Sequence, residues 1–338
     1  MKDHFTTHVK HEPPKTPEAA RALFAMPFND LIAKSHAVYR QYFNGNEIQV
    51  SSLLNIKTGA CPEDCSYCSQ SVRHQTDLKR APLMELDQVI AAAQKAKDSG
   101  ATRFCMAAAW RGPRDKQLDK VVDMVKAVKD MGLETCLSLG LLEQAQADRL
   151  KEAGTDYYNH NIDCSESFYK EIITTRRFSD RINTIGKVQE AGLKVCCGGI
   201  IGMGECADDR ADMLFTLSQM DPQPESVPIN LLVSIPGTPL EEQKPTDPID
   251  LIRTIAVARI LMPKSYVRLS AGRESLTDSD QALCFFAGAN SIFYGEKLLT
   301  TNNPIPEKDR ALFKKLGLVA EPLKSSLTQK DKQEAKTA

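Results

Sequence analysis

Three cysteines, Cys61, Cys65 and Cys68, fall within eight residues in the segment TGACPEDCSYCSQS. A disulfide takes two thiols and a closed tetrahedral zinc site takes four ligands, so a trio on one tight loop fits neither directly. Three thiolates can instead hold three corners of a cubane iron–sulfur cluster and leave one iron open to bind a substrate. A zinc ion with His74 as fourth ligand is the competing reading. Three structural core thiols fit less well, because buried free cysteine sits among apolar neighbours and this loop is rich in Pro, Asp, Ser and Gln.

A second set of cysteines emerges when strand-like segments are read by face. Successive side chains on a strand point to opposite sides. In TRFCMAAAW, Cys105, Ala107 and Ala109 share a face; in ETCLSL, Cys136 and Ser138; in KVCCGG, Cys196 and Gly198. In YYNHNID the shared face carries Asn159, Asn161 and Asp163, and in VRLSAG it carries Arg268 and Ser270. Outer helices cannot satisfy such polar groups, so this face is expected to line an interior. A buried guanidinium is costly without a partner, which predicts an anion beside Arg268. Each cysteine alone reads equally well as a plain buried residue. Jointly with Arg268, Cys105, Cys136 and Cys196 can converge on a second, smaller cluster. Cys197 points to the opposite face, and Cys164, Cys206 and Cys284 attract no functional reading.

The elements that must position these groups repeat. Helical patterns end in Gly before a β-rich segment at Gly100, Gly132, Gly154, Gly192 and Gly288, each expected in the left-handed position past a helix end. Strand-like runs lie at about 48–56, 102–109, 134–139, 156–163, 193–201, 227–234, 266–271 and 291–294. Strands alternating with helices, with no dinucleotide fingerprint after the first, predict an α/β fold of the (β/α)8 TIM-barrel type. The cysteine loop follows the first strand and so belongs at the C-terminal face, where barrel active sites form. Residues 1–45 are expected as an amphipathic helical extension that caps the barrel or pairs subunits. Residues 46–300 form the expected barrel, and 301–338 a C-terminal segment disordered from about 318, where SSLTQKDKQEAKTA is polar and aperiodic.

Lys and Arg number 43 against 44 Asp and Glu, which implies no bulk attraction to nucleic acid or to an anionic membrane. No apolar run approaches the roughly 18 residues of a membrane helix. The N-terminus lacks an apolar signal core, so a cytoplasmic location is expected, with the ten cysteines as free thiols, ligands or catalytic groups.

The pattern C-x3-C-x-Y-C, with Tyr67 as its aromatic, resembles the cluster loop of radical S-adenosylmethionine (SAM) enzymes. The segments GACPEDCSYCSQS, YYNHNID, VCCGGIIGMGE, SVPINLLV, RTIAVARILMP, SYVRLSAGRE and FAGANSIFYGEKLLTT resemble the biotin synthase family from about residue 25 to 317. That resemblance implies a (β/α)8 barrel, usually a homodimer, that inserts sulfur between C6 and C9 of dethiobiotin. It implies a 4Fe-4S cluster on Cys61, Cys65 and Cys68, with Tyr67 alongside and SAM on the open iron. It further implies a 2Fe-2S cluster on Cys105, Cys136, Cys196 and Arg268 as sulfur donor, and an electron donor such as flavodoxin or ferredoxin. Asn159, Asn161 and Asn230 would meet the ureido ring or the ribose, Asp163 the ribose hydroxyls, and backbone near Ile200, in GGIIGMGE, the adenine. His160 is read as packing. Ala107 stands where relatives commonly carry Gly, and its methyl is expected to crowd the cofactor slightly. The competing functions are a lipoyl-synthase-like or hydrogenase-maturation-like enzyme and a cluster carrier without turnover. Arg268, Asn159 and Asn161 on interior faces argue against both.

Overall fold

The computed structural model describes residues 11–323; expectations for residues 1–10 and 324–338 fall outside it. Nine strands build the core: β1 (Glu47–Lys57), β2 (Arg103–Ala108), β3 (Glu134–Ser138), β4 (Tyr157–Asn159), β5 (Lys194–Cys196), β6 (Gly199–Ile201), β7 (Ser226–Leu231), β8 (Tyr266–Leu269) and β9 (Ser291–Tyr294). All pair in parallel, and the ring closes where Gln49–Ser52 of β1 lie against Ser291–Tyr294 of β9. Because β5 and β6 occupy a single position, this is an eight-position closed barrel with helices outside. Gly100, Gly132, Gly154, Gly192 and Gly288 all have positive φ, between 72° and 108°, where each helix turns into the next strand.

Two strand expectations needed correction. The run 193–201 is split at Cys197–Gly198. The Gly198 backbone presses so closely on β7 that a β-carbon there would stand 1.9 Å from the Pro228 carbonyl oxygen. The run 156–163 leaves the sheet after Asn159, and Asp163 turns the chain with φ 69°, so strict alternation does not extend to Asn161 and Asp163.

The helical extension does not close an end of the barrel. Helices α1 (Pro17–Ala25), capped by Thr16, and α2 (Phe28–Tyr42) lie along its side, α1 on helix Ala207–Ser218 and α2 on helix Pro248–Leu261. This explains why the latter helix lacks a polar face, as Leu251, Ile252 and every residue from Thr254 to Leu261 are buried. Its Arg259 donates to the Gly288, Pro263 and Ser265 carbonyls and lies over the Tyr39 and Phe43 rings. Burying each large aliphatic side chain contributes about 1.5–3 kcal/mol, so the extension stabilises the barrel wall it covers.

After β9 come a hairpin, β10 (Lys297–Leu298) with β11 (Thr301–Asn302), a helix at Pro306–Leu316 and β12 (Val319–Ala320). The last corrects the expectation of disorder from about 318. Gly317, with φ 68°, reverses the chain, and Val319 and Glu321 donate to the Asn46 and Ile48 carbonyls beside β1. The Tyr266 hydroxyl donates to Glu321 at 2.7 Å.

The side-chain core divides in two. A large cluster fills the space between strands and helices, while a small one inside the barrel gathers Cys105, Cys136, Tyr157, Cys196, Phe293 and Leu298. Cys197 belongs to the outer cluster, as alternation requires.

Candidate active site

Strand β1 delivers the chain to the C-terminal mouth, where Gly59 and Ala60, with φ 71° and 55°, turn it into the cysteine loop. The loop folds back on itself. Cys61 N–H donates to the Gln70 carbonyl at 3.0 Å, Val72 N–H to that of Cys61 at 2.8 Å and Cys68 N–H to that of Cys65 at 2.9 Å. It is also anchored from outside, because the Asp64 carboxylate accepts the backbone N–H groups of Thr174 and Thr175. Desolvation pushes Asp64 up, but these bonds outweigh it and hold the carboxyl down at about 2.

Burial raises the pKa of all three loop thiols, Cys68 to about 12, so ligating metal must displace their protons. Arg176 Nη2 donates to Cys65 Sγ at 3.4 Å. His74 does not complete a zinc site: its Nε2 donates to the Cys65 carbonyl at 3.0 Å. Among the described residues no three His, Cys, Asp or Glu side chains are grouped to hold a single metal ion. Thiolates on separate irons of a cubane have no need to meet at one point.

Beside the loop, Tyr67 donates its hydroxyl to Asp163 Oδ2 at 2.6 Å. The same oxygen pairs with Arg181, whose Nε donates to the Tyr169 hydroxyl at 2.8 Å. Arg181 and Asp163 are 4% and 3% exposed, which makes this a buried ion pair. Asp163 Oδ1 accepts nothing among the described residues. Arg181, Arg176 and Glu63 escaped the sequence reading. Arg181 had a visible signal, since it shares the apolar face of helix Phe178–Glu190 with Phe178, Ile185 and Val188, and an arginine there requires a partner.

Deeper in, register gathers the second set. Cys105 is opposite Cys136, Asn159 opposite Cys196, and Arg268 opposite both Pro228 and Ser291. Cys136 packs with Cys105 and Cys196 in the small inner cluster. That contact is the main cause pushing Cys136 up and its two neighbours down, and Arg268 lowers both neighbours further. Arg268 is 1% exposed and is paired with no carboxylate among the described residues. Neutral oxygens orient it instead: Nε donates to Ser291 Oγ at 2.9 Å and Nη2 to Gln49 Oε1 and Ser51 Oγ. Its Nη1 donates to no group among the described residues.

The three asparagines differ. Asn159 Nδ2 donates to Cys196 Sγ at 3.2 Å and so faces the sulfurs. Asn161 Oδ1 accepts the Gly198 N–H at 3.1 Å. Asn230 bridges backbone, donating to the Gly199 carbonyl and accepting the Ala271 N–H. His160 is 5% exposed with Nε2 unbonded among the described residues, and burial, then Arg181 and Arg176, hold its pKa well below 6.5.

One cavity of about 320 Å³ joins these groups, reaching from Cys61, Cys65, Cys68 and Tyr67 to Cys105, Cys136 and Arg268. Ala107, Asn159, Asn161, Asp163, Ile200 and Asn230 also line it. The β10–β11 turn covers one side, with Thr300 hydrogen-bonded to Ser69 at 2.9 Å. Free thiols of both sets border this one cavity, and a three-thiol loop at its mouth suits an iron–sulfur centre.

A parallel barrel with a three-thiol loop after its first strand defines the radical SAM class, and residues 55–217 match the model of the Radical SAM superfamily. Residues 228–319 match the Biotin and Thiamin Synthesis associated domain. The chain belongs to the biotin synthase family: it is 61% identical over 297 residues to a biotin synthase of Alkalilimnicola ehrlichii, covering 88% of this chain and 90% of that one. It is 58% identical to one of Saccharophagus degradans, covering 94% and 91%. Among solved structures, a methylornithine synthase matches at TM-score 0.77 and 20% identity, covering 94% and 96%. A FeFe-hydrogenase maturase from Carboxydothermus hydrogenoformans matches at TM-score 0.78 and 18% identity, covering 91% and 76%. At such identities these two show the shared fold alone.

Proposed function

We propose that this chain forms biotin from dethiobiotin by inserting sulfur between C6 and C9, with SAM as co-substrate. The observation that carries the reading is the cavity with Cys61, Cys65 and Cys68 at its mouth and Cys105, Cys136 and Arg268 in its depth, Cys196 packing beside them. Cys61, Cys65 and Cys68 would hold the 4Fe-4S cluster, and Cys105, Cys136, Cys196 and Arg268 the 2Fe-2S cluster. When bound, the first supplies the electron that cleaves the SAM sulfonium and the second supplies sulfur. Arg268, oriented by Gln49, Ser51 and Ser291, keeps Nη1 for the second site.

At the mouth, Tyr67, Arg181 and Asp163 brace the wall on which SAM would lie, with Asp163 Oδ1 for the ribose hydroxyls and backbone at Ile200 for the adenine. Asn159, Asn161 and Asn230 would orient the ureido ring through their remaining donors and acceptors. Enclosure by the barrel keeps water from a reactive carbon radical and holds donor and substrate together. No helix among the described residues is long and apolar enough to cross a membrane. A cytoplasmic homodimer reduced by flavodoxin or ferredoxin completes the reading.

The test is anaerobic incubation of reconstituted protein with dethiobiotin, SAM and reductant, with biotin measured directly. Absence of biotin while both cluster types are present by spectroscopy would overturn the assignment.

A further inference from the structure

Arg103 sits inside the barrel and has no role in the reading above. It is 1% exposed. On β2 it lies two residues before Cys105 and on the same face, and its neighbour in register, Glu134, lies two before Cys136. One edge of its guanidinium is occupied: Nε and Nη2 both donate to Glu134 Oε2, at 3.2 and 3.0 Å. The plane of the group stacks 3.5 Å above the ring of Tyr157, itself a member of the small cluster with Cys105, Cys136 and Cys196.

Nη1, at the remaining corner of the fork, is fully buried and has no hydrogen-bond partner among the described residues. A buried charged donor left unmade is costly, and stacking on Tyr157 fixes the plane in which it can find an acceptor. Cys105, two residues along the same face of β2, and Cys136, opposite it in register, accept no hydrogen bond from a nitrogen among the described residues.

We infer that Arg103 is a positioning residue for the second centre, its Nη1 donating a hydrogen bond to a sulfur of the 2Fe-2S site. The inference presupposes that Cys105, Cys136, Cys196 and Arg268 hold that cluster. Hydrogen bonds to cluster or ligand sulfur stabilise the more negative, reduced state and so raise the reduction potential. Outer groups of this kind also govern how firmly a metal is held, commonly by a factor of about 10–100. Arg103 would then set both the potential and the retention of the sulfur-donating centre without ligating it.

The experiment uses full-length protein reconstituted anaerobically, with spectroelectrochemistry of the 2Fe-2S absorption and its decay under an iron chelator. Arg103→Met should shift the 2Fe-2S midpoint to more negative potential and speed its loss roughly tenfold, leaving the 4Fe-4S midpoint unchanged. Arg103→Lys should fall between Met and the parent, and Glu134→Gln, which keeps the arginine but weakens its ion pair, should retain the parental midpoint. An unchanged midpoint in Arg103→Met overturns the inference, as does an equal shift in Glu134→Gln, which would assign the effect to the ion pair. Should the Met variant not fold, an unchanged midpoint in Arg103→Lys has the same force. If the parent protein binds no 2Fe-2S cluster, it is the proposed function that fails, a result distinct from all of these.

Discussion

The two thiol sets of this barrel are built by opposite means. Cys61, Cys65 and Cys68 sit on one loop outside the sheet, held by local backbone bonds and by Asp64 on Thr174 and Thr175. Cys105, Cys136 and Cys196 come from three strands and meet only because the parallel register is kept. The loop places its thiols at the open mouth of the cavity, whereas the strand set lies within the barrel. A co-substrate that must come and go suits the first, and a donor that must stay aligned with substrate suits the second.

Substitutions can break that contrast, beginning with the largest effect. Cys65→Ala should abolish the 4Fe-4S signal and biotin formation while leaving the 2Fe-2S absorption, read by electron paramagnetic resonance and product assay. Cys136→Ala should do the converse to the two spectra, and loss of both signals or of neither would contradict the separation of the sites.

At the boundary between the regions, Asp163→Asn leaves Arg181 buried with a weakened partner. Removing one member of a buried pair costs about 3–5 kcal/mol, a loss that urea denaturation of the cluster-free protein would measure. Tyr67→Phe removes one hydrogen bond from the same carboxylate and should cost only about 1–3 kcal/mol. Equal losses in the two variants would show that the ion pair is not the stronger brace.

The smallest effect is one of pH. His160 has a folded pKa well below its unfolded value of 6.5, so below that pH the unfolded chain binds a proton that the folded chain refuses. Stability contributed this way is present above 6.5 and lost as pH falls through it. His160→Gln should flatten the decline in melting temperature between about pH 6.5 and 5, and an unaltered slope would remove His160 as its source.

How much of this was legible in the sequence follows from the same contrast. The loop trio is a local pattern, readable from its spacing alone. The strand set was readable because alternation is strict within β2, β3 and β5, and Cys197 fell on the outer side as alternation demands. Alternation failed past Asn159, where the chain leaves the sheet, so the shared face of Asn161 and Asp163 was right in direction but for a reason that does not hold there. The neutral groups that orient Arg268 were less legible: Ser291 faces it from the next strand, and Gln49 and Ser51 come beside it only through closure of the ring. The lateral packing of α2 was hidden too, although the apolar run Ile255–Leu261 of helix Pro248–Leu261, broken only by Arg259, was a sign that something must cover it.

That ring closure also bears on how the chain can be divided. The Radical SAM match begins at residue 55 and the second match ends at 319, yet the seam joining β1 to β9 uses residues 49–52 from before the first match. Cut between the matched segments, each piece would expose an unsaturated sheet edge and half of a cavity. Neither is an independent module, and the two would regain a working shape only by assembling with one another.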